Sequence, residues 1–257
     1  PYTTLFRSAC VPERPVACDE KPGKISDMFK PLFKNDQAMT VVVSIILVYT
    51  SLNICGNLVL YFFRFDVGNE GAYSLFAAVA FAAQVLVMMV IPLLRKRFSK
   101  SQLFISGFII QIAGFAVILI MAFAKLYTPQ SWYILCLPGI LIYLGYGMLN
   151  VIMTIFLSDS VDYGEVMNGT REESVIFSMQ TFTVKLASGV AVFLAGLVVD
   201  WIHLDTAAAV QTQDTLDALR MWMTIPSVIL LIVGIFVFKR FYKLDDTRME
   251  EIKSKLN

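Results

Sequence analysis

The chain has 257 residues, 57% of them hydrophobic and 16% charged, with a formal net charge of +1 and a mean hydropathy of +0.69. That composition is too apolar for an ordinary soluble domain. A single histidine, His203, and four cysteines without Cys-x-x-Cys spacing argue against a metal centre, and no catalytic constellation is evident, so an enzyme is not expected.

Six apolar runs dominate, at about 38–62, 73–94, 103–124, 132–157, 175–199 and 221–238. Each is long enough, at about 1.5 Å per residue, to cross a hydrocarbon core of ~30 Å. The expected fold class is therefore an all-α membrane protein, a bundle of six transmembrane helices that uses up nearly the whole chain. Residues 1–20 have neither a signal-peptide pattern nor helical periodicity, and read as a disordered leader of doubtful origin. Residues 21–37 form a basic amphipathic segment suited to a membrane interface.

In the first run Thr50, Asn53, Asn57 and Tyr61 share one helical face. Such a stripe serves either interhelical hydrogen bonding or the lining of a cavity. The second run has Gln84, and the third only Ser106 and Gln111, so the third reads as lipid-facing or scaffold. The fourth repeats the stripe with Tyr143, Tyr146, Asn150 and Thr154, and its Gly139, Gly145 and Gly147 permit close helix approach. The fifth carries Ser178, Thr181, Lys185 and Ser188 along one face; the sixth is apolar after Ser227. Polar faces on three helices only are what an aqueous pathway requires.

Lysines and arginines cluster before the first run, between the second and third, and after the last, where residues 239–257 form a tail. The opposite-side loops carry only Arg64, Lys125 and Arg220. By the positive-inside rule both termini are cytoplasmic.

Residues 158–185 hold the densest chemistry. Asp159, Asp162, Glu165, Arg171, Glu172 and Glu173 crowd into a presumed loop that runs straight into the fifth span, where Lys185 lies about ten residues deep. A charge at that depth costs at least ~2.5–3.5 kcal/mol, so it faces a protein-lined cavity or an ion-pair partner. The order Asp159-x-x-Asp162-Tyr163-Gly164-Glu165, then Asn168, Arg171-Glu172-Glu173-Ser174, Ser178-Met179-Gln180-Thr181 and Val184-Lys185 resembles the glycoside–pentoside–hexuronide:cation symporters, the melibiose-carrier-like branch of the major facilitator superfamily. Lys34-Asn35, Tyr61-Phe62-Phe63, Tyr242-Lys243-Leu244 and Glu251-Ile252 extend the resemblance over roughly residues 21–257.

The resemblance implies the carboxy-terminal half, helices seven to twelve, of a twelve-helix secondary transporter of the bacterial inner membrane. Such a protein moves a sugar or glycoside with a cation by alternating access, and a missing amino-terminal half would complete it. The expected substrate-binding residues are Lys185, Gln180, Thr181, Asn150, Asn53 and Asn57; an ammonium and amides suit a polyol. Asp159, Asp162, Tyr163 and Arg171 resemble the family's cytoplasmic gate, the alternative being a solvated loop. No cofactor is expected. The six runs contain no Asp or Glu, so the coupling Na+ or H+ is expected to bind in the amino-terminal half. The partners are the sugar, the bilayer and that second half, with no nucleic acid. The rival readings are a facilitator of another substrate such as a lysolipid, and a structural six-span protein.

Overall fold

Asn35 accepts a hydrogen bond from the Ala38 backbone N–H at 3.0 Å and so caps the first helix, α1 (Asp36–Tyr61). The computed structural model describes residues 35–169 and 173–256. The leader at 1–20, the segment at 21–37 up to residue 34, and Arg171 lie outside the described residues. Helix α1 continues through a π-helical turn, Phe62–Val67, that ends at left-handed Gly68. Next come α2 (Ala72–Leu94) and α3 (Lys100–Phe123), which starts at a Ser99–Gln102 capping box. Helix α4 (Cys136–Asn168) ends at Gly169, again left-handed. Helices α5 (Glu173–Trp201), α6 (Gln213–Phe241) and the short α7 (Asp246–Leu256) complete the chain.

Six of these, α1 to α6, are long and apolar enough to cross a membrane, and they coincide with the six runs of the sequence. Their ends do not. Helix α1 with its π-helical turn reaches Val67 rather than residue 62, and α6 begins at Gln213 rather than 221. The charged stretch after residue 157 is not a loop but the last third of α4. Within it Asp159 is buried against Lys100, and Ser160 Oγ bonds back to the Phe156 carbonyl.

The packing follows a simple exchange. Helix α1 packs on α5 and α6, whereas α4 packs on α2 and α3; α3 meets α6, and α1 meets α4. The first helix of each triplet thus fills the other triplet, the contact pattern of two interlocked three-helix repeats. Phe104 on α3 lies at the junction, 5.1 Å from the Phe156 ring and 4.5 Å from the Phe238 ring. One side of helix α3 is therefore enclosed as scaffold, while Ile109 and Ile120 on its other side stay exposed, so the lipid-facing-or-scaffold expectation holds in both its parts. The helix is more enclosed than α2 and α5, the two least covered spans. Glycine explains how α2 and α3 come so close to α4. A Cβ at Gly145 would lie 2.6 Å from the Gln111 backbone nitrogen, and one at Gly147 would lie 2.6 Å from Val87. Neither position has room for a side chain.

Candidate functional site

Asn150 on α4 donates from Nδ2 to the Tyr49 hydroxyl on α1 at 2.6 Å, and the Tyr49 ring meets Tyr146 edge-on with centroids 5.5 Å apart. Along α1, Asn53 Nδ2 donates to the Tyr49 carbonyl and Asn57 Nδ2 to the Asn53 carbonyl, each at 2.7 Å. The two predicted stripes therefore meet, but through Tyr49, which the sequence reading passed over. Its spacing is legible, since 49, 53 and 57 step by four; the stripe expected from the sequence starts instead at Thr50, which is buried. Asn53, Asn57 and Asn150 all remain half-buried. Their carboxamide oxygens accept no hydrogen bond from the described residues.

Helix α5 has two unlike sides. Ile176, Thr183, Ala187, Ala191, Ala195 and Val198 are buried, a mostly small-residue face laid against α1. Lys185 is two residues from both Thr183 and Ala187, hence ~200° round the helix from them. It is exposed and has no ion-pair or hydrogen-bond partner among the described residues. The sequence suggested a buried cation; in this bundle it stands on an open face, together with exposed Ser178 and Thr181. The Thr181 hydroxyl donates only to its own Phe177 carbonyl, at 3.3 Å. Gln180 is seven residues before Ala187, within ~20° of the covered side, and is half-buried. The six candidates thus fall into an α1–α4 group and an exposed α5 group, with Gln180 on the side of α5 that turns to α1.

Of the four expected gate residues, Asp159, Asp162 and Tyr163 sit on the last turns of α4, and Arg171 lies outside the described residues. Asp159 is not aimed out of the bundle; it forms a buried ion pair with Lys100. Lys100 also lies 3.4 Å from Asp246, which is 3.5 Å from Arg95, so one network joins α3, α4, the α2–α3 turn and the start of α7. The Asn35 side chain donates to the Ser160 carbonyl at 2.8 Å. Tyr163 packs with Val166 and Tyr242 against Leu244, Met249 and Ile252 and borders a cavity of about 440 Å³. The Tyr242 hydroxyl is buried without a hydrogen-bond partner among the described residues; burial, then Asp159 and Asp246, raise its pKa above the usual tyrosine range.

A second network closes the other end. Arg220 is not a loop cation. Its side chain is 2% exposed within α6 and reaches Asp66, 4% exposed, in the π-helical turn. Nε donates to Asp66 Oδ2 at 2.8 Å and Nη2 to Oδ1 at 2.5 Å, the bidentate geometry that arginine favours. The Tyr127 hydroxyl donates to the same carboxylate at 2.6 Å; burial first, and this bond second, push its pKa well up. Asp66 lay past the predicted end of the first run, which is why the spans read as free of acid. No group of His, Cys, Asp and Glu suited to a metal occurs among the described residues.

Residues 4–246 match the family model described as MFS/sugar transport protein. That match begins upstream of residue 21, where the motif resemblance starts. The chain is 25% identical over 91% of its length to an uncharacterised symporter of Bacillus subtilis. It is 22% identical over 90% to the raffinose carrier protein of Pediococcus pentosaceus, and 24% over 88% to the isoprimeverose transporter of Lactiplantibacillus pentosus. It spans only 49%, 35% and 46% of those three proteins.

Proposed function

The chain belongs to the MFS/sugar transport protein family, and from that premise we propose that it is one six-helix half of a sugar–cation symporter of the bacterial inner membrane. The observation that carries this reading is Lys185, an exposed cation within a helix long and apolar enough to span the membrane, with no partner among the described residues. A structural ion pair within the described bundle would have given it a partner there. Facing a second half across a sugar, it supplies three donors to hydroxyl oxygens.

Asn53, Asn57 and Asn150 supply the complementary side, with carboxamide oxygens left to accept from a sugar. Tyr49, Tyr143 and Tyr146 offer aromatic surface for the apolar face of the ring. The two best-buried carboxylates, Asp66 and Asp159, are committed to Arg220 and Lys100. Neither is free to hold Na+ or H+, which favours a cation site in the other half. The Lys100–Asp159–Asp246 network stiffens the cytoplasmic end, so that the half moves as one body during alternating access while Asp162, Tyr163 and Arg171 meet the opposite half.

The test is accumulation of labelled sugar by vesicles containing the full-length protein. Raffinose, isoprimeverose and lactose, the substrates named for relatives, are the first panel. An imposed Na+ or proton gradient should drive at least one member inward, and an ionophore should collapse the uptake. No accumulation under either gradient would defeat the symport reading.

A further inference from the structure

Helices α5 and α6 follow one another in the chain, and each packs extensively on α1, yet they hardly touch each other. The gap between them is an open apolar groove of about 550 Å³, floored by Ile54 of α1 and walled by Leu194, Trp222, Ile225 and Pro226. A second cavity of about 200 Å³ shares Ile54, Leu194, Trp222 and Pro226 and extends it to Trp201. The Trp201 and Trp222 rings lie 5.1 Å apart, at its mouth.

One feature of the sequence falls in the wall of the groove. Pro226 lies inside α6; it cannot donate to the Trp222 carbonyl, and its ring crowds that carbonyl.

We propose that this groove holds one acyl chain of a membrane phospholipid, taken from the leaflet opposite the basic end. Three observations choose that occupant. All three walls are membrane-spanning helices, so hydrocarbon is the surrounding medium. The mouth lies where the apolar stretches of both walls end, next to Asp200 on α5 and at Met221 on α6. The tryptophan pair stands there, as interfacial tryptophans do. The lining then runs from Trp222 to Leu230, ~12 Å along the helix. That is nearly the depth of one leaflet of a ~30 Å core. A chain seated there would brace α5, the helix that carries Lys185, from its outer side. The site is separate from the sugar face and stands or falls without it.

The experiment uses the full-length protein, reconstituted with phosphatidylcholine brominated on its acyl chains, re-extracted into detergent and freed of loose lipid by gel filtration. One phospholipid per chain should remain, measured as phosphorus. In a variant whose only tryptophan is Trp222, most of the emission should be quenched by the retained bromines. Leu194→Trp and Ile225→Trp, which occupy the groove, should release the lipid. Phe236→Trp, an exposed position of α6 outside the groove, should keep it.

Absence of retained lipid would overturn the proposal. So would lipid that survives both groove substitutions, because it would be bound elsewhere. Unquenched Trp222 in a protein that runs as a dimer would overturn it too, assigning the groove to a second copy. If the groove variants fail to fold, the quenching of Trp222 alone decides.

Discussion

Lys185→Ala is expected to reduce sugar uptake to background while leaving the amount of protein in the membrane unchanged. A hydrogen bond from a charged donor contributes about 1.5–3 kcal/mol, so the loss in sugar affinity is roughly ten- to a hundredfold. Abundance should hold because Lys185 is exposed and no described residue is paired with it. Substitutions at such positions shift stability by about 0.5 kcal/mol or less. Sugar binding by calorimetry and membrane abundance by immunoblot separate the two effects. A fall in abundance that matches the fall in uptake would make Lys185 a structural residue paired across the two halves.

Arg220→Ala should act in the opposite way, through stability. It would strand the Asp66 carboxylate, whose side chain is 4% exposed, with only the Tyr127 hydroxyl to solvate it. Removing one partner of a buried pair costs about 3–5 kcal/mol. The purified protein should therefore show a markedly lower unfolding temperature and poor membrane yield. The double variant Asp66→Leu, Arg220→Met should recover much of that loss, since replacing a buried pair by apolar residues of similar size is often near neutral. An Arg220→Ala protein with an unchanged unfolding temperature would show that the pair does not hold α1 to α6.

How much of this was legible in the sequence depended on the range of the interaction. Six spans followed from hydropathy alone, because each helix must satisfy its own backbone within the bilayer. Helix ends were not legible where charge continued the helix. Asp159 reads as solvated until Lys100, 59 positions away, is placed against it. Asp66 and Arg220 are 154 positions apart, and each alone looks like a loop charge. Period found the polar stripes, and the Asn150–Tyr49 bond joins them. It could not tell which side of α5 Gln180 takes, because that depends on where the small residues pack. Which side of α3 packs inward was not legible for a related reason. Its buried side, with Phe104, Phe108 and Phe115, and its exposed side, with Ile109 and Ile120, are equally apolar, and only glycines on the neighbour, such as Gly145, mark the difference.

The central claim is that the open face of α5 borders a water-filled sugar pathway. Thr181 lies on that face, exposed and close to Lys185. The most direct measurement is the rate at which Thr181→Cys, in a full-length protein freed of its native cysteines, reacts with a charged, water-soluble thiol reagent. The account predicts ready labelling that the transported sugar slows and that a non-substrate sugar leaves unchanged. A cysteine that stays unlabelled, or labels at one rate whatever sugar is present, would place this face against lipid or protein and contradict the account.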